Sequence, residues 1–265
     1  MDTPAAAQAP RGEVKGTAWQ HTPASLEGLV ARASVALPAP VTGGAPYLGP
    51  WKDMPAGAAR KVPVVLFLHG SSGLGLEAIG EWQAWLAGLG VASMAPDSFA
   101  LPGRVTYTSP LDQAAYERIH ALRAAEIAPA LAALQRRPWA DPARLVLAGA
   151  SEGGVPVARY GGSEFAARMI FSWSCEDNYF VDEHRTAVLP GQPVLNVMSA
   201  SDPFFGTDNR WLGNPQARGH AGEAFKDSPA ATIVLVPGAP HTLLNLPQAR
   251  AATRAFLESA VRPGS

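Results

Sequence analysis

One cysteine, Cys175, among 265 residues excludes an intrachain disulfide framework and any metal site built from several thiolates. No apolar run reaches the roughly 20 residues needed to cross a bilayer. Charge of either sign is scarce. The 21 Lys and Arg nearly cancel the 22 Asp and Glu, and the net charge of -1 offers no electrostatic hold on nucleic acid or an anionic membrane. Phosphate fingerprints are missing too. Residues 70–75 read G-S-S-G-L-G, which lacks the G-x-G-x-x-G spacing and the Gly-Lys-Ser/Thr of a P-loop. The opening MDTPAAAQAPRGEVKG has no basic start followed by an apolar run, so it is not an intact signal peptide. A cytoplasmic protein and an exported one already trimmed both fit it.

What is present is a globular composition, 47% hydrophobic and only 16% charged. The length suits one large α/β domain over residues 21–265, behind an Ala/Pro-rich tail or edge-packing arm over 1–20. Continuous β-rich apolar runs, such as KVPVVLFLHG from Lys61, predict strands buried on both faces of a parallel sheet. Others fall at 91–99, 144–150, 167–174, 193–201 and 232–238. Helical spacing separates them, over 77–89, over a long stretch 111–137 where Pro129 predicts a kink or break, and over 247–261. Residues 41–60, rich in Gly and Pro, read as a surface loop. Alternation of strand and helix implies a doubly wound, mostly parallel sheet flanked by helices.

The strand at 144–150 runs into Gly149, Ser151 and Gly153 at G-x-S-x-G spacing, with a helical stretch behind. A serine at the apex of a tight strand-to-helix turn takes a strained backbone, so its neighbours two before and two after must be small. A hydroxyl is a poor nucleophile unless a base removes its proton and an acid orients that base. In a wound sheet such groups lie beyond the strand C-termini. Asp202 directly follows the strand at 193–201, and His241 follows the strand at 232–238. The order Ser151, Asp202, His241 suits nucleophile, acid and base. Asp177, beside Glu176 and Asp182 after an earlier strand, is a reserve acid. His220 and His184 sit in excursions and make weaker bases, while His69 and His120 read as structural.

A developing oxyanion needs preplaced N–H donors. The backbone N–H of Glu152 supplies one. That of Ser71 supplies the other, with Ser72 as alternative. The Glu152 carboxylate would raise the base's pKa or pair with a nearby arginine. Among aromatic residues near the strand exits, Trp173 and Phe204 are the expected substrate-binding residues, two of a wider set with Phe99, Tyr107, Tyr179, Phe180, Phe205 and Trp211. Arg104 or Arg210 is a candidate partner for an acidic substrate group. The excursions at 175–192 and 204–227 would form any partial lid, the second with a short helix.

VVLFLHGSSGLG, MAPDSF, GASEGG, SASDPFF and GAPH, spread over residues 60–260, resemble the α/β-hydrolase fold, and within it the dienelactone-hydrolase-like group. The resemblance implies Ser151 as nucleophile, Asp202 as acid and His241 as base. Dienelactone hydrolases proper carry Cys at the elbow. Serine there points to a broader carboxylesterase taking a small-molecule ester, without metal or organic cofactor. An amidase or peptidase, or a non-catalytic binding protein, are the alternatives on the same scaffold.

Overall fold

The computed structural model describes residues 11–58 and 60–261. The expected tail at 1–20 falls partly outside that range. Its described part carries β1 (Val14–Lys15) and leads to α1 (Pro23–Ala31), which opens on Thr22 in a capping box with Ser25. Then follow β2 (Ser34–Leu37), α2 (Ala39–Thr42), β3 (Tyr47–Pro50), β4 (Val62–Leu68), α3 (Glu77–Gly88), β5 (Ala92–Ala95) and β6 (Thr106–Tyr107). The second half runs α4 (Gln113–Ala124), α5 (Ile127–Gln135), β7 (Ala140–Ala150), α6 (Gly154–Arg159), β8 (Ala167–Phe171), β9 (Val194–Ser199), β10 (Ala231–Val236) and α7 (Pro247–Ala260). β1 pairs with β6, so residues 14–15 lie along 106–107.

Eight strands form one sheet in the order β10-β9-β8-β7-β4-β5-β2-β3. The six from β10 to β5 are mutually parallel, and β2 pairs antiparallel with both β5 and β3. The sheet is therefore mixed and mostly parallel, with helices on both faces. Residue alternation sorts the core into two halves. Val64, Leu66 and Leu68 of β4 and Leu145 and Leu147 of β7 face one side, where Ile127 and Leu131 of α5 and Val155 of α6 cover them. Val65, Phe67, Val146 and Ala148 face the other, under Trp82 and Leu86 of α3 and Phe256 and Leu257 of α7. Parallel strands end on one edge of the sheet. From β4 the chain steps to β5 on one side and later to β7 on the other, which opens a crevice beyond the β4 and β7 ends.

Three local expectations are corrected. Residues 41–60, read as a loop, contain β3, an edge strand in which Gly49 lies under the Tyr47 ring, 2.6 Å from its hydroxyl to any added Cβ. The stretch 111–137 is two helices broken at residues 125–126, not at Pro129. Pro129 thereby falls in the first turn of α5, where a missing N–H is tolerated. The excursion at 204–227 carries turns and no helix among the described residues.

Candidate active site

β7 delivers Ser151 to the crevice in the left-handed region, φ 52°. The flanking glycines are a steric requirement. A Cβ on Gly149 would sit 2.3 Å from the Gly153 carbonyl oxygen, and one on Gly153 would sit 2.2 Å from the Leu68 oxygen of β4. The small residues two before and two after the serine are what let the turn close against the neighbouring strand.

Beyond β10, His241 is held by hydroxyls at the ends of two other strands. Ser172, itself at φ 52° after β8, donates to the His241 carbonyl, and Ser199 of β9 donates to the Ala239 carbonyl. His241 Nδ1 lies 2.8 Å from Asp202 Oδ2. The other carboxylate oxygen of Asp202 accepts the N–H groups of Phe204 and Phe205 at 2.9 and 3.1 Å. Asp202 is thus a turn-capping residue and the imidazole's partner at once, because each role uses a different oxygen. With Nδ1–H donated to the carboxylate, Nε2 is the free nitrogen.

Ser151 and His241 line one cavity of about 280 Å³, with Gly70, Ser71 and Ser72 on its lip. They share the cavity rather than a hydrogen bond. Ser71 is placed as the sequence requires, in the loop after β4, and Gly70 is so close that an added Cβ would sit 3.4 Å from the Ser151 Cβ.

The reserve acid is drawn elsewhere. Asp177 accepts the N–H and the Nδ1 of His184 at the surface, and Glu176 accepts the N–H groups of Arg218 and Gly219. His220 accepts from Gly222. His69 is a buried brace: its Nδ1 donates to the Gly70 carbonyl and its Nε2 accepts the Ser98 N–H. Burial, then the nearby Arg123 charge, hold it down to about 4. His120 is stacked on Tyr116 and edge-on to Phe180.

Glu152 points its side chain away from the cavity into a fully buried charge cluster. Its Oε1 accepts from Arg104 and from Arg123, both at 2.7 Å. Arg123 continues to Glu126, which also meets His21 and the Ser98 hydroxyl. Burial pushes the Glu152 carboxyl up, but the two guanidinium charges more than offset it and hold it down to about 2. Of the two roles expected for this carboxylate, the arginine pairing is the one formed. Sequence reading missed Arg123 because a cation on a periodic helix looks like a solvated face.

Trp173 is corrected. It is 2% exposed and absent from the cavity wall, packed against Phe205 and Phe180 and against Gly154, where an added Cβ would meet its Cβ at 2.9 Å. Its position after β8 points it under the wall rather than through it. Phe204 does line the cavity and lies edge-on to the His241 ring. Tyr107, Tyr179, Phe180 and Phe205 line it as well, whereas Phe99 and Trp211 do not. Neither candidate arginine reaches it: Arg104 is locked under Ser151 by Glu152, and Arg210 is exposed elsewhere.

No protein-family model and no curated protein sequence matches the chain. Solved structures do. A Klebsiella pneumoniae protein assigned as a dienelactone hydrolase superposes with a TM-score of 0.55 at 17% identity, covering 86% of this chain and 99% of the other. A cold-adapted esterase from an Arctic intertidal metagenomic library gives 0.54 at 19%, covering 87% and 95%. The chain has the α/β-hydrolase fold. The same hydrolase fold relates it to a puromycin-hydrolysing peptidase of Mycobacterium tuberculosis, with a TM-score of 0.52 at 16% identity over 86% of this chain and 39% of that one. Among the described residues no helix is long and apolar enough to cross a membrane, and no cluster of His, Cys, Asp and Glu could hold a metal ion.

Proposed function

We propose that the protein is a serine hydrolase of carboxylic esters working through an acyl-enzyme. One observation carries the reading: the His241–Asp202 hydrogen bond of 2.8 Å stands in the same cavity as a serine held at φ 52°. Strain of that kind at a cavity wall is kept where it serves a mechanism.

In the proposed cycle His241 Nε2 takes the proton of Ser151 as its oxygen attacks the ester carbonyl carbon. The oxyanion rests on the backbone N–H groups of Glu152 and Ser71. His241 passes the proton to the alcohol oxygen as the ester bond breaks, leaving an acylated serine. It then takes a proton from water, whose oxygen attacks the acyl carbon, and returns that proton to the Ser151 oxygen as the acyl–oxygen bond breaks, which releases the acid and the free serine. Asp202 keeps the imidazole in the tautomer that presents Nε2. Ser151 and His241 line one cavity without a hydrogen bond between them, and catalytic contacts of this kind often tighten only on substrate binding.

The test is a chain-length series of p-nitrophenyl esters beside aminoacyl anilides, with Ser151→Ala as control. Turnover of esters that falls by at least ~10³-fold in Ser151→Ala supports the reading. Retained turnover in Ser151→Ala removes it, and anilides cleaved faster than esters reassign the protein as an amidase.

A further inference from the structure

The cavity that holds Ser151 is not chemically uniform. Its two halves belong to opposite faces of the sheet. Leu76, Ile79, Leu243 and Leu244 come from the core half under α3 and α7 and form a mostly aliphatic wall, with the Phe67 ring as its one aromatic member. Tyr107, Tyr179, Phe180, Phe204 and Phe205 come from the other half and form an aromatic wall, with the Ser109 hydroxyl set among them. Ser151 sits at the end of β7, between the two halves.

Neither wall carries a charge. Among the described residues, the lining contains no titratable cation or carboxylate apart from His241. The buried guanidinium groups behind it, Arg104 and Arg123, are charge-paired by Glu152 and Glu126 and donate to the carbonyls of Val105 and His69, and the remaining Arg123 Nη2 is buried away from the lining. A carboxylate carried by the substrate would lose its hydration here and meet no counter-charge, which is unfavourable by general solvation arguments. An aryl ring entering the aromatic half meets ring edges and faces of the kind that already pack against one another, Phe204 and Phe205 included. Tyr179 and Ser109 add hydroxyls to that half, close enough to each other to interact. A volume near 280 Å³ is at the small end for ligand sites.

We infer that the site takes a small uncharged ester that joins a short aliphatic group to an aryl group, one half in each lobe, and rejects esters bearing a free carboxylate. This rests on the esterase reading above and specifies its substrate class. It separates the protein from any hydrolase whose substrate is an acid, since the recognition element for an anion is spent inside the fold.

Matched pairs keep leaving-group chemistry constant. On the alcohol side, kcat/KM is compared for benzyl butanoate, cyclohexylmethyl butanoate and 4-carboxybenzyl butanoate. On the acid side, the pair is ethyl phenylacetate and ethyl cyclohexylacetate. The aryl member is expected to exceed the cyclohexyl member at least about tenfold on one side, and benzyl butanoate to exceed its carboxylated analogue at least about a hundredfold. Phe204→Leu is expected to flatten the aryl preference, read as the ratio of kcat/KM for benzyl butanoate over cyclohexylmethyl butanoate, whatever its effect on the absolute rates. The same compounds are titrated into Ser151→Ala and read by the shift in Tm, with the neutral aryl esters giving the larger shift. If no ester is turned over but the Tm shifts keep that order, the catalytic reading fails and the pocket assignment stands. Equal kcat/KM and equal Tm shifts across the pairs, or a carboxylated ester matching its neutral partner, overturn the pocket assignment whatever the turnover.

Discussion

Arg123 Nη1 lies 2.7 Å from Glu152 Oε1 and 2.8 Å from the His69 carbonyl, with both side chains of the ion pair shut off from solvent. One guanidinium therefore ties the residue after Ser151 to the residue before Gly70, the two backbone segments expected to bind the oxyanion. Breaking a buried pair from one side strands the other charge, at about 3–5 kcal/mol. Arg123→Met is expected to lose stability in that range, measured by denaturant unfolding at pH 7. Glu152→Gln, which leaves Arg104 and Arg123 sharing a neutral acceptor, is expected to lose at least about 2 kcal/mol. A change below about 1 kcal/mol in both would show the cluster to be energetically idle.

The same cluster sets an acid limit. His69 is neutral in the fold, since its Nε2 accepts the Ser98 N–H and has no room for a proton, and it is held down to about 4. Unfolded, an imidazole takes a proton near 6.5. Between those values the unfolded chain binds more protons, so stability falls as pH drops. Glu152 has the depressed carboxyl, held down to about 2, and its contribution is present above the ordinary carboxylate value and lost as pH falls toward 2. Stability is thus expected to be full above about pH 6.5, to lose on the order of 2 kcal/mol through His69 by pH 5, and to fall again below pH 4.5. Urea midpoints across pH 7.5 to 3 check this. A profile of His69→Gln as steep as that of the wild type would remove His69 from it.

Gly153 packs against β4 so tightly that an added Cβ would stand 2.2 Å from the Leu68 oxygen, a backbone atom that cannot turn aside. Gly153→Ala is expected to cost at least about 2 kcal/mol and to displace Ser151, removing most turnover. Gly161 is the control, since no described atom lies within 4 Å of where its methyl would stand. Gly161→Ala is expected to stay within about 0.5 kcal/mol of wild type. Thermal unfolding and ester turnover of the two variants give the comparison.

How much of this was legible in the sequence follows from what each feature depends on. The sheet was readable because β4 and residues 145–149 of β7 are apolar on both faces, and their runs lack alternation of polarity. Ser151, Asp202 and His241 could be nominated because G-x-S-x-G spacing marks a tight turn and a wound sheet brings its parallel strand exits to one edge; the fold puts Ser151 and His241 on one cavity and Asp202 against His241. The position of the helix break at residues 125–126 was not, since Pro129 is tolerated in a first turn. Trp173 was misjudged because sequence gives proximity to the elbow but not which side of the exit loop a ring takes. Of the Arg104–Glu152–Arg123 cluster only the Glu152 end was legible, as a carboxylate that could pair with an arginine; its partners were not, because they lie 48 and 29 residues away along the chain.

Asp202 and Asp177 both follow a strand, and the geometry separates them. Asp202 divides its oxygens between His241 and the N–H groups of Phe204 and Phe205, while Asp177 holds His184. Asp202→Asn retains an oxygen to cap the turn but puts an amide against the imidazole, which favours the tautomer with its proton on Nε2. That tautomer cannot accept the serine proton. Turnover is expected to fall about 10⁴-fold, with stability lowered by no more than about 2 kcal/mol. Asp177→Asn is expected to leave turnover within about twofold, because its oxygen holds a surface histidine outside the cavity. Steady-state kinetics on an ester substrate, beside unfolding curves for both variants, decide it. A large loss in Asp177→Asn with little in Asp202→Asn would move the acid to the earlier strand and require the 175–192 excursion to swing toward His241.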